Sequence, residues 1–242
     1  MAQFRCFYLG KIRYANALKL QQNLTQWQLK SPNANPILLM LQHDPVYTVG
    51  LRSNEYNEND ESRLSALGAD FVRTNRGGLI TFHGPGQLVV YPIFKLADFK
   101  LGIRKYVCQL EAVTIIALCE RYELEAVRSP HTGVWIGNDK VCAMGINARR
   151  GVTSHGLALN CNTDLEWFNR IVPCGIHGKG VTSLSHELSR DITVEHVLPH
   201  FLEHFSDVFK SKSLCFSDLT DKTTLSDLCD VITEEKFKNL NF

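Results

Sequence analysis

The glycines of this chain are unevenly placed, and their placement constrains the fold more than any other feature. Of its 16 glycines, most fall between Gly77 and Gly180. There they separate short apolar segments of strand length, and polar residues that are unusual in strands lie beside them. Glycine lets one stretch of backbone approach another, or a ligand, without a Cβ in the way. The pattern therefore predicts a functional site built from loops on a β-sheet.

Apolar periodicity predicts both strands and helices along the chain. The predicted strands are Phe4–Leu9, Pro36–Leu41, Asp70–Arg73, Leu79–Phe82, Gln87–Ile93, Gly133–Ile136, Lys140–Asn147 and Thr153–Cys161. The predicted helices are Tyr14–Leu29, Ile103–Glu123, Asp164–Arg170 and Thr193–Phe209. The polar segment Ser53–Ser62 is predicted to be a solvated loop or the cap of a short helix. Pro199 should bend the last helix near its start.

These elements predict an α/β or α+β fold, with a mostly antiparallel or mixed sheet flanked by helices in a single domain. A length of 242 residues is compatible with one large domain. After Lys210 the sequence becomes rich in Ser, Thr, Asp and Lys, with a weak helical pattern over Leu225–Leu240. We therefore predict a main domain at residues 1–210 and a C-terminal appendage of unknown role at residues 211–242.

Composition narrows the classes of protein to which the chain can belong. The net charge of +1 argues against a nucleic-acid-binding protein, and no apolar run approaches the roughly 20 residues that span a bilayer. The 8 cysteines include no CxxC pair, which argues against a zinc site and favours a reducing compartment. The first 43 residues contain no acidic residue, as in mitochondrial transit peptides. We predict a mitochondrial protein; a cytoplasmic one is the alternative, because this segment also has the pattern of a folded strand and helix.

Cys174 has the most distinctive surroundings of any cysteine in the chain. It lies in the run IVPCGIHGKGVTSL at Ile171–Leu184, where Pro173 fixes the preceding backbone and glycines follow closely. A structural cysteine needs only apolar neighbours and burial. A cysteine that presents a thiolate to an acyl group needs a stiff loop with spare backbone N–H donors. Cys174 is therefore a candidate nucleophile, and a small core residue beside a turn is the alternative.

Three other polar residues stand out, each with an ordinary structural explanation. Lys140 begins an apolar strand; a lysine there is usually a solvated strand end, but one that turns inward can carry protons. His83 precedes a Gly-Pro-Gly turn, which is rigid but is also common in simple hairpins. His155 lies at a His-Gly break in a strand, and taken alone it is a hydrogen-bonded structural histidine.

Four segments together resemble the lipoyl(octanoyl)transferase family, whose members move an octanoyl group from acyl carrier protein to a lysine of lipoyl domains. They are RGGLITFHGPGQLVVYPI at 76–93, TGVWIGNDKVCAMGI at 132–146, TSHGLALNCNTDLEWF at 153–168 and IVPCGIHGKGVTSL at 171–184. LGKIRYANALKLQ near the N-terminus and DPVYTVG at 44–50 also fit. The resemblance extends from about Phe4 to Phe209 and is greatest to the animal mitochondrial members.

The resemblance implies the fold shared by biotin and lipoate protein ligases, with an octanoyltransferase catalytic domain at residues 1–210. It implies a catalytic pair, Cys174 and Lys140, that works without a metal or cofactor. It also implies acyl-contact residues in three segments. These are Arg76, Gly77, Gly78, Leu79, Ile80, Thr81, Phe82 and His83; Ala143, Met144 and Gly145; and Gly156, Leu157 and Ala158.

The implied partners are octanoyl-acyl carrier protein as donor and lipoyl-domain proteins as acceptors. The acceptors would include the acyltransferase subunits of 2-oxoacid dehydrogenases and the glycine cleavage H protein. Because such carriers are acidic, we expect Arg149, Arg150 and Lys179 to line the opening of the site; solvated turn charges are the alternative.

Two other functions fit the same fold. An ATP-dependent lipoate or biotin protein ligase activates a free acid as an adenylate and needs no cysteine nucleophile. A non-catalytic lipoyl-domain binder would need neither member of the implied pair. The presence of both Cys174 and Lys140 argues against these alternatives and favours acyl transfer through a thioester, the first step of endogenous lipoate synthesis.

Overall fold

The structure is a computed structural model that describes residues 3–52, 56–172 and 178–216. In that part of the chain the strands are β1 (Gln3–Ile12), β2 (Ile37–His43), β3 (Val46–Val49), β4 (Asp70–Arg73), β5 (Thr81–His83), β6 (Gln87–Ile93), β7 (Ala126–Arg128), β8 (Val134–Ile136), β9 (Asp139–Arg149), β10 (Val152–Asn160), β11 (Gly180–Val181) and β12 (Lys212–Phe216). The α-helices are α1 (Tyr14–Lys30), α2 (Glu58–Ser65), α3 (Ile103–Tyr122), α4 (Leu184–Leu188) and α5 (Val194–Val208). Short 3₁₀ helices lie at Leu96–Phe99 and Leu165–Arg170.

The described strands form two sheets. The main sheet has the order β12-β1-β2-β6-β10-β9-β8-β7, with β11 paired to β9. Strand β1 is parallel to β2 and β12, and β11 is parallel to β9, whereas the other neighbours are antiparallel. A smaller sheet has the order β4-β3-β5. The prediction of a mixed sheet is confirmed.

Helices cover both faces of the main sheet because its central strands are apolar on both sides. On β2, Ile37, Leu39 and Leu41 pack in one cluster with residues of α1. The alternate residues Leu38 and Met40 pack in another cluster with residues of α3 and α5. The two-residue period of the strand thus divides the core into two layers, and the predicted sheet flanked by helices is confirmed.

Some predicted elements have different bounds in the structure. The strand expected at Leu79–Phe82 begins later, as β5, because the chain from Arg76 to Ile80 is a loop with Gly78 at a φ of +91°. The helix expected at Asp164–Arg170 is a 3₁₀ helix. Helix α5 continues through Pro199. Within the polar segment, Asn57 caps the short helix α2.

Strand β12 extends the main sheet past residue 210. Its residues from Lys212 onward pair in parallel with β1 from Gln3 onward. The division of the chain into a domain at 1–210 and an appendage at 211–242 stays a prediction. Among the described residues, no helix has the length and apolar character needed to cross a membrane.

Candidate active site

A loop held by Arg76 lies over strand β9. The buried Arg76 guanidinium donates to the carbonyl of Thr48 at 2.6 Å and to that of Leu79 at 2.8 Å. The next residue, Gly77, donates its backbone N–H to the carbonyl of Ile146 in β9 at 2.9 Å. The guanidinium therefore fixes the shape of the loop, and the Gly77 contact fixes its place above the sheet.

Gly145 makes this close approach possible. A Cβ on Gly145 of β9 would lie 2.7 Å from the Gly77 carbonyl oxygen, too close for a real contact. Gly156 of β10 allows a different close approach, because a Cβ there would overlap the carbonyl oxygen of Val90 in the neighbouring strand β6. Both glycines therefore lie where one backbone segment touches another directly.

Beneath the loop is a pocket of about 430 Å³. Its lining is Tyr14, Arg76, Gly78, Leu79, Thr81, His83, Tyr91, Ala143, Met144, Gly145, His155, Gly156, Leu157 and Ala158. Its lining of backbone and apolar side chains along β9 and β10 suits an acyl chain.

Part of the pocket is lined by histidine and tyrosine side chains that stay uncharged at neutral pH. Burial lowers the pKa of His155 to about 4, with the nearby Arg76 charge as a second cause. Burial also lowers the pKa of His83 well below its ordinary value and raises the pKa of Tyr14 to about 12. Behind them, burial lowers the pKa of His43 to about 4, and His43 Nε2 lies 2.8 Å from the Tyr91 hydroxyl. This part of the pocket can surround an uncharged acyl chain without burying new charge.

Lys140 lies in β9 with its side chain turned inward. It is buried, its Nζ donates to the carbonyl of Thr132 at 3.1 Å, and Nζ lies 4.8 Å from the ring centre of Trp135. Gly133 has a φ of +126°, and a Cβ there would come within 3.3 Å of the lysine side chain. The inward alternative considered for Lys140 is therefore the one that the structure adopts.

A second pocket of about 250 Å³ adjoins the first one. Lys140 and Val181 line the second pocket, and Thr81 and Ala143 line both pockets. The predicted acyl-contact segments therefore lie beside one member of the predicted catalytic pair.

A chain of hydrogen bonds connects His83 to the same region. Gln87 Oε1 lies 2.7 Å from His83 Nδ1, and Gln87 Nε2 donates to Asn160 Oδ1 at 2.8 Å. Asn160 Nδ2 then donates to the carbonyl of Thr182 at 2.9 Å. The backbone N–H of Thr182 in turn donates to the carbonyl of Lys140. Because the Gln87 oxygen can only accept, the neutral His83 carries its proton on Nδ1 and leaves Nε2 as an acceptor.

Most residues of the three predicted acyl-contact segments line the larger pocket. Gly77 instead contributes its backbone to the loop above it, and Ile80 and Phe82 pack in an apolar cluster under the smaller sheet. Cys174 lies outside the described residues. The roles of all these residues in catalysis and binding stay predictions.

Sequence analysis missed Tyr14 and Tyr91 and treated His155 as structural. Tyr14 begins α1, and Tyr91 lies in β6, which is buried along its whole length. For Tyr91, a tyrosine in an otherwise apolar strand was the available signal, since a buried hydroxyl needs a polar partner, here His43. His155 has a φ of +55°, which is unusual for a residue other than glycine.

The sequence matches the family model described as the lipoyl protein ligase A/B catalytic domain over residues 13–206. The chain belongs to this family. It is 57% identical over 198 residues to the zebrafish (Danio rerio) protein named octanoyl-[acyl-carrier-protein]:protein N-octanoyltransferase LIPT2, mitochondrial, covering 81% of this chain and 88% of that one. The human (Homo sapiens) protein of the same name is 47% identical over 217 residues, covering 85% and 93%.

This lipoyl protein ligase A/B family member also matches solved structures. A crystal structure of lipoate-protein ligase A bound with ATP has a TM-score of 0.72 at 16% identity, covering 97% of this chain and 95% of that one. At that identity the likeness shows the fold alone, and it confirms the predicted ligase-like fold. The sequence relatives confirm the predicted resemblance to the octanoyltransferases, the assignment as an acyltransferase and the mitochondrial localisation.

Proposed function

We propose that this chain transfers an octanoyl group from octanoyl-acyl carrier protein to the target lysine of lipoyl-domain proteins. The acceptors would be acyltransferase subunits of 2-oxoacid dehydrogenases and the glycine cleavage H protein. Cys174 carries the acyl group as a thioester, and Lys140 moves the protons. The observation that supports this best is that the pocket lined by the predicted acyl-contact segments shares Thr81 and Ala143 with the pocket that buried Lys140 lines.

The pocket supplies binding energy for a medium-length acyl chain. Each buried methylene contributes roughly 0.8 kcal/mol, so the methylenes of an octanoyl group contribute on the order of 5 kcal/mol. The names of the relatives, which specify octanoyl transfer from acyl carrier protein to protein, support the same substrate.

Two cysteines near the site are unsuited to be the nucleophile. Burial raises the pKa of the Cys142 thiol, which lies in β9, to about 12. Burial likewise raises the pKa of the buried Cys161 thiol. Only a thiolate attacks a thioester efficiently, so these two thiols are unreactive at neutral pH. This supports Cys174, in its proline- and glycine-framed loop, as the acyl carrier.

In the first half of the reaction, the Cys174 thiolate attacks the octanoyl thioester. The bond between the acyl carbon and the carrier sulfur breaks, and the carrier leaves as a thiol after taking a proton. A positive charge on Lys140 favours the Cys174 thiolate before the attack and can supply that proton to the leaving sulfur. One thioester replaces another, so no energy source is needed.

In the second half, the acceptor lysine attacks the octanoyl-Cys174 thioester. An ordinary lysine has a pKa of about 10.4 and must lose a proton before its nitrogen can attack. Neutral Lys140 takes that proton as general base. The attacking nitrogen loses its second proton to solvent as the new amide forms and the Cys174 thiolate leaves, which restores the pair of thiolate and charged Lys140. Thioester aminolysis is favourable, so the proposed reaction requires no ATP.

The proposal is tested by intact mass spectrometry after incubation with octanoyl-acyl carrier protein. The wild-type chain should gain one octanoyl group, and Cys174→Ala should gain none while unfolding like the wild type. Lys140→Arg keeps its charge but cannot act as a base, so it should form some acyl-enzyme and no amide. An adduct on Cys142 or Cys161 would contradict the role of Cys174. Transfer that requires ATP and free octanoate would identify a ligase instead.

A further inference from the structure

We propose that Glu111 is a positioning residue for Lys140. Its buried carboxylate holds the loop at residues 129–133, and that loop supplies the carbonyl to which the Lys140 side chain donates. The inference rests on the proposed proton-transfer role of Lys140. It extends the site to the helix that carries Glu111, although that helix contributes no residue to the lining of either of the two pockets that share Thr81 and Ala143.

Both oxygens of the Glu111 carboxylate bind the ends of this loop. The side chain is only 8% exposed and projects from α3. Oε2 accepts from Arg128 Nε at 3.1 Å, just before the loop, and Oε1 accepts from the Gly133 N–H at 3.1 Å, at its end. Arg128 also donates to the carbonyl of Cys108 in α3 at 2.7 Å. The loop is therefore fastened to α3 on both sides.

The same loop sets the surroundings of the Lys140 side chain. The carbonyl of Thr132, next to Gly133, accepts from Lys140 Nζ at 3.1 Å. The carbonyl of His131 accepts from Trp135 Nε1 at 3.0 Å, and the Trp135 ring lies 4.8 Å from Lys140 Nζ. One loop thus places both a carbonyl and an aromatic face beside the lysine nitrogen, and both attract its ammonium form.

Loss of the Glu111 carboxylate should displace this loop. The buried Gly133 N–H would lose its acceptor, and Arg128 Nε would lose its carboxylate partner, so that Arg128 keeps only its bond to the Cys108 carbonyl. The Thr132 carbonyl and the Trp135 ring would then no longer fix the position of Lys140 Nζ. A displacement of about 1 Å at a reacting group can cost about 100-fold in rate. Substrate binding should change little, because neither pocket is lined by Glu111 or the loop.

The test compares Glu111→Ala with a matched change on the same helix. Glu120→Ala is the control, because Glu120 also lies on α3 but its side chain is 65% exposed. We expect Glu111→Ala to lower kcat for octanoyl transfer by about 10- to 100-fold, with KM for both carriers changed less than about threefold. Glu111→Gln keeps an oxygen that can accept from the Gly133 N–H, so it should recover part of the loss. Glu120→Ala should match the wild type.

A double-mutant cycle with Lys140→Ala separates positioning from general structural damage. If Glu111 acts through Lys140, adding Glu111→Ala to Lys140→Ala should cause no further loss in the single-turnover rate of amide formation. An equal further loss in both backgrounds would overturn the inference. If Glu111→Ala fails to fold, the nearly isosteric Glu111→Gln is carried through the same cycle, with Arg128→Gln as its companion.

The outcomes also distinguish failure of this inference from failure of the proposed function. A normal rate in Lys140→Ala would contradict the proposed role of Lys140, and with it the positioning role. A slow Lys140→Ala together with a normal Glu111→Ala would leave the proposed function standing and overturn the positioning role alone.

Discussion

At the scale of single residues, uncharged histidines are packed at and behind one part of the pocket. His43 contacts the ring of Tyr14 at 5.0 Å and that of His83 at 5.9 Å, centre to centre, and Tyr91 lies between His43 and His155. Burial of these rings disfavours their charged forms. The polar lining of the pocket is therefore uncharged at neutral pH, and protonation of these buried rings in acid would bring charge into it.

The pKa of His43 predicts a loss of stability in mild acid. His43 has a pKa of about 4 when folded and 6.5 as a free side chain, so between those pH values the unfolded chain binds more protons. The free energy of unfolding should therefore fall as pH falls from 6.5 to 4 and be fully retained above that window. The expected slope from this residue is about 1.4 kcal/mol per pH unit.

Urea unfolding at pH values from 7 to 4.5 measures this effect. His43→Gln removes the titrating group, so its stability should depend less steeply on pH than that of the wild type. Identical slopes for the two chains would show that His43 does not stay neutral in the folded protein.

At the scale of elements, the sequence predicted segments framed by turn residues well and missed several short elements without such a frame. Strands β4 and β6 have the predicted bounds, because turn residues frame their apolar patterns. Strands β3 and β7 and helix α4 were missed; each spans five residues or fewer, too few to establish a period. Such elements are specified by tertiary pairing rather than by local pattern.

The C-terminal strand β12 gives a prediction at the same scale. Removal of residues after Lys210 would expose the edge of β1, whereas removal after Phe216 would keep the pairing. The chain 1–210 should be less stable than 1–216 by about 1–3 kcal/mol, since it loses a short ladder of hydrogen bonds. Chemical denaturation of the two truncated chains measures the difference, and equal midpoints would show that β12 contributes nothing.

At the scale of the whole molecule, the motifs predicted which segments meet but not how they meet. Glycine-rich blocks far apart in sequence converge because β9 and β10 pair and the Arg76 loop lies over them. The inward direction of Lys140 could not be read from its place at a strand start, because it depends on the Thr132 carbonyl and Trp135. The contribution of Tyr14, which lies outside the four glycine-rich blocks, depends on tertiary packing that brings α1 to the pocket.

The three basic residues expected at the opening of the site lie at different distances from Lys140. Lys179 lies beside the site, with its Nζ 5.4 Å from the Trp135 ring centre and 2.8 Å from Asn138 Oδ1. Arg149 ends β9, nine residues after Lys140, which at about 3.3 Å per residue is roughly 30 Å away. The expectation that Arg149, Arg150 and Lys179 line the opening of the site stays a prediction. Lys179 is the stronger candidate for contact near Lys140, because both lysine nitrogens lie close to the Trp135 ring.

This arrangement predicts which charges guide an acidic carrier. At low salt, Lys179→Glu should lower kcat/KM with octanoyl-acyl carrier protein several-fold, because a nearby cation attracts the donor. The effect should shrink as salt screens the charge. Arg149→Glu combined with Arg150→Glu is the control and should have a smaller effect. Rates with a small octanoyl thioester should be similar in all three chains, and equal rates with the protein donor would exclude steering by Lys179.

Strand β9 has one more consequence for the proposed reaction. The same strand carries Lys140 and, a few residues later, Ala143 and Gly145 in the wall of the acyl pocket. The strand therefore fixes the distance between the pocket wall and the Lys140 amine. In the proposed reaction, an acyl chain of another length would place its carbonyl at a different distance from that amine. We therefore expect discrimination between chain lengths to appear in the rate of attack on the thioester, so that a change in the pocket wall alters that rate as well as binding.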